Sequence, residues 1–78
     1  MPTVAHIGSY HFFFYSSDRN EPPHIHVRQA RFTAKYWLNP VRLQKSKGFS
    51  DHDLIKIYKL IEKNRELFLE KWNEYFSA

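Results

Sequence analysis

The sequence predicts an α+β domain in which an antiparallel sheet of four strands is followed by two C-terminal helices packed on one face of the sheet. Two observations predict this class. Runs of β-favouring residues separated by short turns occupy residues 1–49, and apolar residues recur at helical spacing after Ser50. A fifth strand is expected if the short segment 41–43 pairs at the sheet edge. We treat residues 1–78 as a single domain with a β-rich part, 1–49, and a helical part, 50–78.

The first two strands are expected to form a β-hairpin. Residues 3–7 and 10–15 are β-favouring runs on either side of a Gly-Ser pair at 8–9. A Gly-X pair suits a two-residue type II′ turn. This register places His6 opposite His11.

A second strand pair contains the most informative stretch, Glu-Pro-Pro-His-Ile-His-Val at residues 21–27. Its two prolines have a fixed φ and no N–H, so they end the preceding segment and begin an extended one. Residues 24–29 and 32–38 are then expected to pair around a two-residue turn at 30–31.

The register of this pair separates a polar face from an apolar face, because side chains alternate along a strand. The polar face carries three cross-strand pairs, which are His24 with Trp37, His26 with Lys35 and Arg28 with Thr33. The apolar face is predicted to enter the core and carries Ile25, Val27, Ala34 and Tyr36. The polar face is therefore where we expect the chemistry.

Two helices are expected after a basic loop at residues 44–48. Ser50 is the predicted N-cap of the first helix, since acidic residues follow it in the first turn. The apolar stripe is interrupted at residues 63–65, where Asn64 is the predicted N-cap of a second helix.

Composition limits the partners and the compartment. The net charge of +4 is uneven, because residues 1–49 carry seven Lys/Arg and two Asp/Glu for a net charge of +5. A polyanion is therefore expected to meet the β-rich part first. The chain has no cysteine, which excludes disulfides and thiolate metal sites. With no secretory leader or membrane-spanning run recognised, we expect a cytoplasmic protein without membrane contact.

Six segments of the sequence resemble one small bacterial family. They are Pro-Thr-Val at 2–4, Phe-Phe-Phe-Tyr-Ser at 12–16, Glu-Pro-Pro-His-Ile-His-Val at 21–27, Ala-Lys-Tyr-Trp-Leu at 34–38, Gly-Phe-Ser at 48–50 and Trp-Asn-Glu-Tyr-Phe at 72–76. On these motifs the chain resembles the family catalogued as domain of unknown function 4160, over nearly its whole length. The resemblance singles out Glu21, Pro22, Pro23, His24, His26, Lys35 and Trp37. It implies one half of a two-gene module of the toxin–antitoxin type, whose other half is a small protein encoded nearby.

The sequence departs from the family pattern after Val27. Similar proteins usually have a Gly and acidic residues there, whereas this chain has Arg-Gln-Ala-Arg at residues 28–31. The hairpin tip is therefore more basic, and it contains no residue that readily takes a positive φ.

The paired imidazoles of His24 and His26 have three interpretations. One is acid/base catalysis of RNA cleavage, in which the rings share proton donation and acceptance while Lys35 or Arg28 stabilises phosphorane charge. The second is metal binding, for which the candidate third ligands are Glu21, His6, His11 and His52. The third is structural, with a ring stacked on Trp37. We assign His24, His26 and Lys35 as catalytic, and we assign no metal ligand and no cofactor.

Six residues are assigned to nucleic-acid binding, because cationic side chains alternate with aromatic ones on the predicted sheet. They are Arg28, Arg31, Trp37, Arg42, Lys45 and Lys47. A solvated charged face is the alternative interpretation.

The favoured hypothesis is a toxin-like component of a bacterial two-gene module that binds RNA. Whether it is also a ribonuclease, cleaving RNA without a metal, is left open. The alternative is a non-enzymatic interaction or regulatory module that pairs with the product of the neighbouring gene. The expected partners are that small protein and RNA, and a homodimer is a further option because so small a core leaves apolar surface to bury.

Overall fold

The computed structural model describes residues 3–76, which form five strands followed by two helices. The strands are β1 (Thr3–Ile7), β2 (Tyr10–Phe13), β3 (His24–Gln29), β4 (Phe32–Leu38) and β5 (Val41–Lys47), and the helices are α1 (Asp51–Lys63) and α2 (Arg65–Phe76). A short 3₁₀ helix, Ser16–Asn20, connects β2 to β3. The predicted α+β class is confirmed, with the fifth strand present. Across the described range, neither helix has the length and apolar character needed to cross a membrane.

The strands form one antiparallel sheet in chain order, β1-β2-β3-β4-β5. The predicted registers of both hairpins are observed, since His6 lies opposite His11 and His26 lies opposite Lys35. Phe13 of β2 lies opposite His26 from the other side. Because side chains alternate along each strand, this pairing adds an aromatic ring to the polar face beside the imidazole.

The fifth strand is longer than the sequence predicts. The basic loop expected at residues 44–48 is wrong, because β5 extends through most of it. The pairing with β4 shifts by one residue between Lys35 and Tyr36, so Gln44 lies opposite no residue of β4. After this bulge the alternation resumes one position later. The bulge thereby brings three cations to the face that carries His26, and these are Arg42, Lys45 and Lys47.

The helices pack on the opposite face of the sheet, as predicted. Phe12 and Ile25 of the sheet and Ile57, Ile61 and Phe68 of the helices are all fully buried. The rings of Phe12 and Phe68 lie 5.1 Å apart between centroids. Burying each side chain of this size contributes roughly 1.5–3 kcal/mol to folding. This aromatic core stabilises the sheet from one side only and leaves the polar face for other contacts.

Two hydrogen bonds attach the helices to β4. The hydroxyl of Tyr36 donates to the backbone carbonyl of Leu54 at 2.8 Å. Desolvation raises the pKa of Tyr36 to about 12, so the hydroxyl keeps its proton at neutral pH. At the start of α2, Nε of Arg65 donates to the carbonyl of Leu38 at 2.9 Å. Both helices are therefore held at defined points along one strand.

The helix ends lie at the predicted capping residues, Ser50 and Asn64. Oγ of Ser50 accepts a hydrogen bond from the N–H of Asp53 at 3.2 Å, as expected for an N-cap. The helices separate at Asn64, as predicted. However, the side-chain amide of Asn64 donates to the carbonyl of Leu60 at 2.8 Å. The side chain of Asn64 therefore caps the C-terminal end of α1, while its backbone carbonyl accepts from the N–H of Phe68 at 3.0 Å at the N-cap position of α2.

The turn between β3 and β4 uses a residue that the turn does not favour. Ala30 has φ +55°, in the left-handed region, where an L side chain costs roughly 1–2 kcal/mol. The corresponding position of the β1–β2 turn is Gly8, with φ +59°, where no Cβ is present to clash. The expected turn at residues 30–31 therefore forms in spite of its sequence, because strand pairing on both sides determines its conformation.

Replacing Ala30 by glycine is expected to stabilise the protein by about 0.5–1 kcal/mol, since the relief of left-handed strain exceeds the added entropy of the unfolded chain. The free energy of unfolding in urea measures this change. Ala30→Val serves as the opposite control and should lower that free energy, because a β-branched residue tolerates a positive φ poorly. A loss of stability in Ala30→Gly would contradict the assigned turn conformation.

Candidate functional site

A groove of about 430 Å³ lies on the polar face of the sheet. Its walls come from β2 through β5, because these strands all present alternate side chains to this side. The main lining residues are Phe13, Tyr15, His26, Lys35, Lys45 and Lys47. The groove thus combines aromatic rings, an imidazole and ammonium groups.

The 3₁₀ helix between β2 and β3 places a carboxylate beside this groove. Oδ2 of Asp18 accepts a hydrogen bond from the backbone N–H of Tyr15 at 2.8 Å. The same oxygen lies 3.0 Å from Nε2 of His26 and 3.1 Å from Nε2 of His24. Asp18 is buried, with only 7% of its surface exposed. One carboxylate oxygen therefore joins the connecting segment to both imidazoles of β3.

His24 is fully buried under the segment that precedes it and against two indole rings. Its Nδ1 donates to the carbonyl of Pro22 at 3.0 Å. Its ring lies 5.0 Å from Trp72 and 5.8 Å from Trp37 between centroids. His24 therefore lies behind the groove rather than in it, although it belongs to the same strand face as His26.

His26 lines the groove and is packed between two aromatic rings. It stacks on Phe13 with centroids 5.4 Å apart and an interplanar angle of 17°, and it meets the edge of Tyr15 at 4.6 Å. Burial lowers the pKa of His26, while the nearby Asp18 carboxylate opposes that shift. With its pKa below the ordinary value of 6.5, the ring is neutral at pH 7.

Lys35, directly opposite His26, is a buried lysine with a carboxylate partner. Its Nζ donates to Oε1 of Glu21 at 2.5 Å, and it also lies 5.1 Å from the ring centroid of Trp37. The hydrogen bond from Lys35 holds the pKa of Glu21 below its usual value. Much of the charge of Lys35 is therefore already balanced within the protein.

Arg28 continues the polar face toward the other end of β3. Its guanidinium carbon lies 5.8 Å from the ring centroid of Phe13, and Nη2 lies 3.3 Å from Nδ1 of His11. His11 stacks on His6 at 4.5 Å. Burial lowers the pKa of His11, and the neighbouring His6 and Arg28 lower it further. This end of the face is therefore cationic through Arg28, with His11 neutral at pH 7.

The structure brings most of the predicted site residues to one face, but not into one pocket. Four of the nine line the groove, and these are His26, Lys35, Lys45 and Lys47. Trp37 and Arg42 face each other across β4 and β5 on the same side, and Arg28 lies beside Phe13. Arg31 is exposed in the hairpin turn, and His24 is fully buried.

Three residues in or beside the groove are not predicted from the sequence, and they are Phe13, Tyr15 and Asp18. Phe13 lies opposite His26, and the sequence does not reveal that β3 is the second neighbour of β2. Tyr15 is expected at the end of a strand that in fact ends at Phe13. Asp18 lies in a polar segment typical of an ordinary loop, although it is one of two acidic residues before Ser50.

Comparison with known proteins identifies the family. The family model described as domain of unknown function (DUF4160) matches residues 9–73, most of the chain. The chain belongs to the DUF4160 family. No curated protein and no solved structure matches it.

Membership in DUF4160 confirms the resemblance that the sequence motifs indicate. The matched residues include the groove, the Asp18 carboxylate and both imidazoles of β3. The family description states no activity. The function of this DUF4160 chain must therefore be argued from the chemistry of its site.

Replacing Asp18 by alanine is expected to lower the free energy of unfolding by about 2–4 kcal/mol, because the backbone N–H of Tyr15 and Nε2–H of His26 lose their shared acceptor. Urea unfolding measures this loss. Asp51→Ala is the matched control, since Asp51 is an exposed carboxylate in the first turn of α1 and should cost less than about 1 kcal/mol. Equal, small losses in both variants would contradict the anchoring role of Asp18.

Proposed function

We propose that this protein binds single-stranded RNA in the groove of its polar sheet face, as the toxin-like component of a bacterial two-gene module. The observation that carries the proposal is the combination of aromatic rings and lysine ammonium groups in one groove. Phe13 and Tyr15 line it from β2 and the segment after it, and Lys45 and Lys47 line it from β5. Unpaired bases stack on aromatic side chains while cations contact the phosphates, which is how proteins bind single strands.

The charge of β5 supports phosphate binding. Lys45 and Lys47 are exposed, and no ion pair of either is found among the described residues. Lys35 differs because it already forms an ion pair with Glu21. Because the bulge at Gln44 turns Arg42 to the same face, the edge strand presents three cations along one side. We assign the phosphate contacts to these β5 cations.

The aromatic part of the groove supports base binding. The Tyr15 side chain is 44% exposed, so its ring is available for stacking. Phe13 is buried beneath His26 and the Arg28 guanidinium, and it supports these groups from below. Stacking on an aromatic side chain contributes about 1–3 kcal/mol for each base. Trp37, beside Lys35, offers a further indole on the same face.

Cleavage of the RNA is a separate matter. Metal-independent acid/base cleavage by His24 and His26 stays a prediction. Of the three residues assigned as catalytic, His26 and Lys35 line the groove. His24 is fully buried and donates to Pro22, so it is not placed to contact a bound strand. The proposal therefore concerns binding, with the neutral ring of His26 facing the ligand.

A non-enzymatic module that pairs with an acidic protein would use the same basic face. The two functions differ in salt dependence. Each phosphate contact releases counterions, so RNA affinity falls steeply as salt rises. A protein interface with an apolar centre is less sensitive to salt.

Lys45→Gln/Lys47→Gln is expected to weaken RNA binding about tenfold or more at low salt, because two phosphate contacts are lost. The slope of log affinity against log salt should become shallower by about 1.4, or 0.7 for each contact to a single strand. Fluorescence anisotropy of a labelled single-stranded RNA between about 50 and 200 mM salt measures both quantities.

Lys56→Gln/Lys59→Gln is the matched control. Both lysines are exposed on α1, and the variant has the same net charge as the groove variant. It should keep nearly all of the affinity and most of the salt slope of the wild type. Equal weakening in the two variants would show that binding follows net charge rather than the groove, and an absence of binding by the wild type would overturn the proposal.

Expression of the wild-type chain without its neighbouring partner is expected to arrest bacterial growth, as a toxin-like component does. Lys45→Gln/Lys47→Gln should grow normally at an equal soluble level, while Lys56→Gln/Lys59→Gln should still arrest growth. Colony counts and culture density after induction measure the effect. Exposed lysines are preferable to His24 for this assay, because His24 is buried and its loss would also affect folding.

Normal growth of the wild type at a verified soluble level would remove the toxin role, while RNA binding could still be measured in vitro. Growth arrest that persists in the groove variant would instead place the toxic surface elsewhere on the molecule.

A further inference from the structure

One buried nitrogen in the structure faces a carboxylate without forming a hydrogen bond. Nδ1 of His24 lies 3.0 Å from the carbonyl oxygen of Pro22, and a carbonyl oxygen only accepts, so Nδ1 carries the proton. In the neutral ring Nε2 then has only a lone pair. Nε2 is buried and has no hydrogen-bond partner within the described residues.

The position of this nitrogen is favourable only if a cation lies beside it. Nε2 of His24 lies 3.1 Å from Oδ2 of Asp18 without the alignment that a hydrogen bond needs, and both atoms carry lone pairs when the imidazole is neutral. Two such atoms repel at this distance in a buried site. Either a proton on Nε2 or a bound metal ion would reverse the sign of the interaction.

A second imidazole converges on the same oxygen. Nε2 of His26 lies 3.0 Å from Oδ2 of Asp18, and one atom from each of the three residues falls within 4.8 Å of the other two. Zinc binds imidazole nitrogen and carboxylate oxygen at about 2.0–2.2 Å in a tetrahedral arrangement, which separates two ligand atoms by about 3.3 Å. The two nitrogen–oxygen distances are already close to that spacing.

The surroundings of the cluster also match those of metal ligands. Metal-bound histidines commonly donate their other ring N–H to a backbone carbonyl or a carboxylate, which orients the ring. His24 does this through Pro22. The carboxylate of Asp18 is oriented in turn by the N–H of Tyr15 at 2.8 Å. Both interactions leave Nε2 of His24 and the second oxygen of Asp18 outside these hydrogen bonds.

We propose that Asp18, His24 and His26 form a binding site for a divalent transition-metal ion of the zinc class. Two imidazoles and one carboxylate suit such an ion better than they suit calcium or magnesium, which prefer oxygen ligands. Three protein ligands leave at least one coordination position for water or another molecule, as in catalytic zinc sites.

This site goes beyond RNA binding and does not depend on it. A metal ion would occupy Nε2 of both imidazoles, so neither could then act as an acid/base group through that atom. Metal binding and metal-independent cleavage by His24 and His26 are therefore alternative uses of the same rings. The ion would also join the segment before β3 to the sheet, and so it would stabilise the folded state.

The first test uses the full chain without an affinity tag, stripped of metal by a chelator and dialysed. Calorimetric titration with zinc should show one ion per chain, and the melting temperature should rise with zinc concentration. Cobalt should bind in competition with zinc and produce the visible absorption of a low-coordinate ion with nitrogen and oxygen ligands. Dissociation constants in the millimolar range or weaker for both ions would overturn the proposal.

Variants identify the ligands. Asp18→Asn keeps a side-chain oxygen that can accept from Tyr15 but removes the anionic ligand, and it should bind zinc at least about tenfold more weakly. His6→Gln/His11→Gln is the matched control, since it removes the stacked imidazole pair of β1 and β2 and should leave zinc binding unchanged. Unchanged affinity in Asp18→Asn, or lost affinity in the control variant, would overturn the assignment.

A measurement on the wild type alone keeps the test decisive even if Asp18→Asn does not fold. Ring-nitrogen NMR shifts distinguish a protonated, a neutral and a metal-bound imidazole nitrogen. Zinc should move the Nε2 resonances of His24 and His26 while Nδ1 of His24 stays protonated. If the His24 Nε2 resonance already shows a bound proton and zinc does not change it, the buried pair is an imidazolium–carboxylate contact and the metal site is ruled out.

Discussion

A single carboxylate oxygen holds the candidate site together. Oδ2 of Asp18 accepts from the backbone of Tyr15 and lies within 3.1 Å of both imidazoles on β3. Because this oxygen is buried, its interactions are stronger than they would be in water, and losing it would leave the N–H groups of Tyr15 and His26 without an acceptor. Oδ2 of Asp18 thus links the short 3₁₀ helix to β3, beside both His24 and His26.

The two imidazoles show how environment separates residues that a strand pattern treats alike. His24 and His26 alternate with core residues and share a face, yet His24 is enclosed by indole rings while His26 borders the groove. Burial at this end of the face comes from the segment before β3 and from Trp72 of α2. A residue's face follows from local geometry, whereas its exposure follows from what the rest of the chain places over that face.

The chemistry of the groove depends equally on a bulge in β5. Without the unpaired Gln44, Lys45 and Lys47 would lie on the opposite face from Arg42. The bulge instead directs all three cations to the side of Phe13 and Tyr15. A cationic strand at the edge of a sheet also discourages further strand pairing, so the same residues protect the edge and prepare a surface for anions.

Local patterns in the amino-acid sequence were enough to predict the α+β class, the registers of both hairpins, the two faces of β3 and β4, and the helix break at Asn64. These features follow from periodicity, turn residues and proline, which act over a few neighbouring residues. Three other features emerged only in the folded chain: β5 continues past a bulge, His24 is buried, and Asp18 meets both imidazoles. Those outcomes depend on contacts between residues that are distant in the chain or separated by irregular segments. No repeating sequence pattern predicts contacts of this kind.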